Sequence, residues 1–169
     1  MSTVRPEASP ERVDSPETSG GMPPINRMGI VLLSLVGFFV SSYLLLFKLG
    51  VIGTLACGAG GCNTVQNSPW SVFLGVPVPA WGVAGYGLIF VLGLIGIQPG
   101  FARDRRIGWA LVGLSAVGFV FSLYLTGLEA FVIRAWCRWC VVSAVLATAI
   151  FGFSLAEMRR LRRAEYVER

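Results

Sequence analysis

The chain has 169 residues, of which 54% are hydrophobic and 14% charged, with a net charge of +5 and no histidine. Soluble domains carry roughly 25% charged residues, so the composition argues against a water-soluble globule. The missing histidine excludes Ser/His and Cys/His hydrolases, which need an imidazole base.

Residues 1–24 are rich in Pro, Glu, Ser and Thr and hold no long apolar run. They predict a disordered tail. Four apolar stretches follow, at about 28–49, 79–97, 107–128 and 140–156. Each approaches the ~20 residues a helix needs to cross a bilayer. The first is too long, and too far from the N-terminus, for a cleaved signal peptide. Thr54-Leu55-Ala56-Cys57 is a poor lipoprotein site, because Thr54 stands where Leu is expected. Nothing alternates like a barrel strand. The expectation is an all-α membrane protein: a four-helix transmembrane bundle over 25–158, ending in a basic tail at 159–169.

The loops differ in character. The first outer loop, about Gly50–Val78, is long, Gly-rich and free of charge. Its Trp70, Val72, Phe73 and Leu74 predict a short helix or half-buried cap in the interface, with Trp70 at headgroup depth. The inner loop Gln98–Arg106 is short and basic. The second outer loop, about Glu129–Trp136, is short and keeps Cys137 near the membrane surface. Gly82, Gly85, Gly113, Gly118 and Gly127 lie in or at spans and read as helix-packing positions.

The basic residues sort by side. Arg5, Arg12 and Arg27 precede the first span, Arg103, Arg105 and Arg106 follow the second, and Arg159, Arg160, Arg162, Arg163 and Arg169 follow the fourth. Only Lys48, Arg134 and Arg138 fall on the other side. By the positive-inside rule both termini are cytoplasmic, the protein is integral to the cell membrane, and the cysteines face outward, where disulfides persist. This distribution also argues against nucleic-acid binding.

The four cysteines form two pairs, Cys57 and Cys62 in the long loop and Cys137 and Cys140 in Trp136-Cys137-Arg138-Trp139-Cys140. Three pairings are possible. A C-x-x-C at a helix start staples almost nothing, yet a helix N-terminus stabilises a thiolate. The Gly-Ala-Gly-Gly spacer between Cys57 and Cys62 closes too small a loop to remove much chain entropy. It suits a segment that swings between partners. Thiols at the bilayer edge have a natural oxidant in a lipid-soluble quinone. The pattern therefore points to dithiol–quinone redox chemistry. Structural disulfides and a soft-metal binder or transporter are the other readings. Span centres carry no carboxylate, which argues against a proton-relay transporter. Glu129, at the expected end of the third span, reads as an interfacial charge that shapes the outer loop or carries a proton.

Further motifs carry a resemblance. Cys57…Cys62-Asn63-Thr64-Val65…Ser68-Pro69-Trp70-Ser71…Gly75-Val76-Pro77, then Ser122-Leu123-Tyr124-Leu125…Leu128-Glu129…Trp136-Cys137-Arg138-Trp139-Cys140, resembles the bacterial vitamin K epoxide reductase family over about 27–156. The order of the two pairs is the reverse of that in quinone reductases of the DsbB type. The resemblance implies a four-helix bundle around a quinone, ubiquinone or menaquinone, with the loop cysteines above it and no metal. It implies that Cys137 and Cys140 are the active pair, Cys140 nearest the quinone, and that Cys57 and Cys62 exchange with an external dithiol. Ser68 resembles the family's hydroxyl residue beside the quinone. Trp81, near the outer end of span two, is a candidate wall of the quinone pocket or an interface anchor.

Three features depart from the family. Arg138 stands where many bacterial members carry Pro, and a cation beside two thiols should favour thiolate. Ala144 replaces the Tyr that vertebrate members use, which points away from vitamin K epoxide as substrate. Many bacterial relatives continue into a fifth span and a fused thioredoxin-like domain, whereas this chain stops at Arg169. The expected partner is therefore a separate thioredoxin-like or DsbA-like protein outside the cytoplasm.

Overall fold

The computed structural model describes residues 25–58, 61–101 and 104–167. The expected N-terminal tail, Arg103 and Arg169 lie outside the described residues. The elements are α1 (Ile25–Lys48), α2 (Cys62–Gln66), a 3-10 turn (Pro69–Ser71), β1 (Val72–Phe73), β2 (Val76–Pro77), α3 (Val78–Ile97), α4 (Arg105–Gly127), a π-helical turn (Leu128–Ile133) and α5 (Arg138–Val167).

Among the described residues, four helical segments are long and apolar enough to span a bilayer: Ile25–Lys48, Val78–Ile97, Arg105–Ile133 and Arg138–Arg163. At 1.5 Å per residue even the shortest, of 20 residues, reaches about 30 Å. They pack as a ring in which α1 touches α3 and α5, and α4 touches α5 and α3. The centre is small, built on Ile30, Tyr86, Ile89, Leu111 and Ile150. Phe39, Leu88, Val117, Val120 and Val145 point outward, as they should where lipid replaces water.

Small residues let the ring close. A Cβ at Gly37 would overlap the Tyr86 ring, one at Gly82 would overlap Ser41, and one at Gly93 would overlap Val31. The α1–α3 seam therefore runs backbone against side chain. Of the glycines expected to pack, only Gly82 does so. Gly85, Gly113, Gly118 and Gly127 have nothing within 4 Å of a built Cβ. They sit on faces without a neighbouring helix. Tyr86 adds a cross-tie, its hydroxyl donating to the Ser143 carbonyl at 2.8 Å.

At the end away from the cysteines lies a buried ion pair. Arg27 Nε meets Glu157 Oε1 at 2.8 Å, with both side chains almost fully buried. The Arg27 guanidinium also donates to the carbonyls of Gly96 and Phe101. One residue thus joins α1, α5 and the α3–α4 turn. In the sequence Arg27 reads as a topology charge, and Glu157 is not singled out. Burial instead makes each the partner the other requires.

Two span boundaries differ from expectation. The third helix runs past Leu128 through a π turn to Ile133, so Glu129 is helical rather than part of a loop. Arg134, at φ 54°, then turns the chain. The fourth helix continues beyond 156 to Val167, carrying the basic residues on a helical extension rather than a loose tail. Asp104 starts α4 by accepting the Arg106 amide at 2.8 Å, which satisfies one free donor of the first turn.

The long loop is a built cap. Its short helix, 3-10 turn and two-residue antiparallel hairpin, with Val72 paired to Pro77 and Phe73 to Val76, lie over one end of the bundle. The hairpin is apolar, and Leu74 at its tip is exposed with φ 54°.

Candidate active site

All four cysteines meet under the cap. Cys57, Cys62, Val65 and Cys137 form one buried cluster, with Cys140 packed against it. Cys57 and Cys62 are joined by a disulfide with Cα atoms 6.2 Å apart, while Cys137 and Cys140 are free thiols.

Local bonds explain the assembly. The segment before Cys57 is held from two sides. The Ala56 amide donates to the Tyr43 hydroxyl at 2.9 Å, and the Trp139 indole donates to the Ala56 carbonyl at 3.3 Å. Tyr43 and Trp139 pack edge to face at 5.3 Å. Ahead of Cys62, the Gly61 amide donates to the Trp136 carbonyl at 3.1 Å. A Cβ on Gly61 would overlap Ala135, so glycine is what lets the loop rest directly on the segment leading into Cys137. Ala59 and Gly60, the middle of the expected swinging spacer, lie outside the described residues.

Cys137 caps α5. The Cys140 amide points at Cys137 Sγ at 3.4 Å, and the Val141 amide donates to the Cys137 carbonyl at 3.0 Å. The Cys137 thiol is held below its ordinary pKa, first by hydrogen bonding with the Cys140 thiol, and further by the Cys140 and Trp139 amides. Burial and the nearby Glu129 carboxylate work against that shift. Arg138 is not among the causes. Its side chain is exposed and its guanidinium lies beside Gly58, next to Cys57. The cation within the motif therefore reaches toward the loop pair rather than settling beside Cys137.

Glu129 is 3% exposed. One carboxylate oxygen accepts the Cys137 amide at 3.1 Å. A carboxylate oxygen and the sulfurs of Cys137 and Cys140 all lie within 4.8 Å of one another. The π turn is what brings Glu129 inward, because the wider turn carries the helix on until that carboxylate meets the start of α5.

Cys140 opens onto a cleft of about 350 Å³, counting its open mouth, between α2, the 3-10 turn, α3 and the end of α4. Val65, Val78, Leu125, Leu128 and Ile133 give it apolar walls, and Gln66, Ser68, Ser71 and Glu129 supply polar atoms. Gln66 Nε2 points at Cys140 Sγ at 3.9 Å, while its buried Oε1 has no partner.

Of the residues singled out in the sequence, Ser68 lines this cleft and also builds the turn. Its hydroxyl donates to the Val65 carbonyl at 2.7 Å. Trp81 does not line the cleft. Its indole donates to the Phe73 carbonyl at 3.3 Å and its ring stands edge-on to Phe73 at 6.4 Å, so the hairpin claims it. Trp70 does line the cleft, half-exposed at the mouth. Gln66 went unnoticed in the sequence, since one amide in an uncharged loop carries no periodic or motif signal.

The pattern of the Vitamin K epoxide reductase family matches residues 28–155. The chain is also 28% identical over 110 residues to "Thiol-disulfide oxidoreductase LTO1" of Arabidopsis thaliana. That stretch is 60% of this chain and 28% of the Arabidopsis protein, so the chain matches well under half of that relative's length. Four apolar helices of spanning length, two cysteine pairs gathered under one cap and a family match over 28–155 carry one conclusion: the chain belongs to the vitamin K epoxide reductase family of integral membrane oxidoreductases.

Proposed function

We propose that the chain is a membrane thiol–quinone oxidoreductase that reoxidises a separate thioredoxin-like dithiol protein and so supports disulfide formation. The observation that carries this reading is the division of labour within one motif. Cys137 is 0% exposed and packs with the loop pair, whereas Cys140 lines the cleft.

The residues of the cleft fit a quinone ring. The walls are apolar, the space is narrow, and the Gln66 amide beside the Cys140 sulfur offers an N–H donor for a ring carbonyl and a free oxygen that can accept from a hydroquinone hydroxyl. Gln66, Ser68 and Glu129 would hold the ring edge, with Cys140 against it. When bound, the quinone supplies a two-electron acceptor.

The thiol steps belong to the chain itself. A reduced partner thiolate attacks Cys57, the partner is released oxidised, and Cys57 and Cys62 are left as thiols. Cys62 then attacks Cys137 of the oxidised active pair and frees Cys140 toward the cleft. Closure of Cys57 on Cys62 leaves Cys137 and Cys140 as thiols. Each exchange is set by access and by leaving-group pKa, and the lowered Cys137 value makes it a good leaving thiolate. The helix end around Cys137 holds that thiolate, and the apolar walls keep water from the ring. In this reading both termini are cytoplasmic and the cap faces outward, as the arginine distribution supports.

The test is quinone-dependent oxidation of a reduced thioredoxin-like protein by the purified chain. Thiols and oxidised quinone should disappear together with the wild type and not with Cys140→Ala. Oxidation that continues without quinone contradicts the proposal.

A second reading, soft-metal binding, rests on Glu129, Cys137 and Cys140 offering three ligand atoms within 4.8 Å. It predicts stoichiometric zinc or copper on the purified reduced protein, lost in Cys137→Ala.

A further inference from the structure

Resting on the quinone reading, we propose that Glu129 is the proton-transfer residue of the site, taking the thiol proton of Cys140 and delivering it to the nearer ring oxygen.

Three observations carry this. Glu129 lines the same cleft as Cys140. Its carboxylate lies within 4.8 Å of both sulfurs. It is buried with no basic side chain in salt-bridge contact among the described residues, its partners being the Cys137 amide and the Cys140 thiol. An unpaired carboxyl at that depth costs free energy, and holding one amide does not require it, since a neutral acceptor would serve.

The chemistry also calls for such a group. Two thiols and one quinone give one disulfide and one hydroquinone. Two electrons leave the sulfurs, the Cys137–Cys140 bond forms, and two protons reach the ring oxygens. The proton of Cys137, released to water when its thiolate forms, is replaced from water at the open mouth. The proton of Cys140 lies inside the cleft, where Glu129 is the titratable carboxyl within reach. It accepts that proton as the sulfur is oxidised, gives it to the ring, and ends unchanged.

The experiment compares Glu129→Gln and Glu129→Asp with the wild type, each full chain purified in detergent, using dithiothreitol and a short-tailed benzoquinone. Gln keeps an acceptor for the Cys137 amide but cannot carry the proton. The quinone-dependent kcat of Glu129→Gln should fall about 100-fold, the usual range for a lost general acid–base. Its KM for quinone should stay within about twofold, and reduction of the Cys57–Cys62 disulfide by dithiothreitol should be unchanged. Glu129→Asp should keep most of the activity. Turnover should slow in D2O for the wild type, and the residual Gln rate should not respond in the same way.

A Gln variant close to wild type overturns the assignment. So does equal loss in Gln and Asp together with altered loop-disulfide reduction, because that marks a purely structural carboxylate. Absence of quinone turnover in the wild type itself is a separate result, which rejects the quinone reading and this assignment with it.

Discussion

The ammonium of Lys48, the last residue of α1, donates to the backbone carbonyl of Gln66 at 2.5 Å and to the Ser71 hydroxyl at 2.7 Å. One cation thus ties the end of a spanning helix to the end of α2 and to the 3-10 turn. Those two pieces form the roof of the cleft. Hydrogen bonds to a charged group contribute about 1.5–3 kcal/mol. Lys48→Met should loosen the cap without unfolding the bundle. Amide exchange over 62–71 should rise in Lys48→Met while α3 and α5 stay protected.

Gly61 lies where a Cβ would overlap Ala135 and its amide holds the Trp136 carbonyl. Gly61→Val should lift Cys62 away from Cys137. Electron transfer from the loop pair should slow by an order of magnitude or more, as expected for an ångström-scale misplacement. A small dithiol that reaches Cys137 directly should still support turnover. Stopped-flow reduction of the Cys137–Cys140 disulfide, started from the reduced loop pair, measures this.

Hydrogen bonding with the Cys140 thiol is the first cause of the lowered Cys137 pKa. A lowered value means that thiolate, the reactive form, persists to lower pH. In a Cys57→Ala/Cys62→Ala background, the alkylation rate of Cys137 should reach its half-maximum below the ordinary thiol range of about 8.5. Adding Cys140→Ala removes the leading cause, and the midpoint should move up. A midpoint that stays put would assign the shift to the helix amides instead.

Much of the fold is legible in the sequence because its signals are local. Four apolar runs near bilayer length place the spans, and a C-x-x-C ahead of an apolar run locates the start of α5. What escapes is set by distant partners. The third helix runs on through Glu129, whose carboxylate accepts the Cys137 amide eight residues on. No periodicity before Leu128 announces it. Gln66 owes its position to Lys48, eighteen residues upstream. The helical glycines where a Cβ would overlap a neighbour, Gly37, Gly82 and Gly93, are set apart by facing the α1–α3 seam.

Arg27 and Glu157 are legible only as a pair. Removing one partner of a buried ion pair leaves a stranded charge and costs about 3–5 kcal/mol. Arg27→Met should therefore lower the thermal midpoint, by leaving the buried Glu157 carboxylate with only the exposed Arg160 at 3.6 Å. Arg27→Met/Glu157→Leu should recover much of the loss, because a buried pair often contributes little over apolar residues of similar volume. Thermal unfolding of the two variants in the same detergent makes the comparison. A double variant less stable than the single would show that the carbonyl contacts of Arg27 dominate.

The most direct measurement traps the electron route itself. In Cys140→Ala purified with its Cys57–Cys62 disulfide intact, the unpaired Cys137 thiolate should attack Cys62, release Cys57 as a thiol and accumulate a disulfide between Cys62 and Cys137, read by mass spectrometry of the non-reduced peptides. That species is the exchange intermediate that packing of Cys62 against Cys137 predicts. If the variant instead keeps Cys57–Cys62 intact and Cys137 free, the two pairs do not communicate and the relay is wrong.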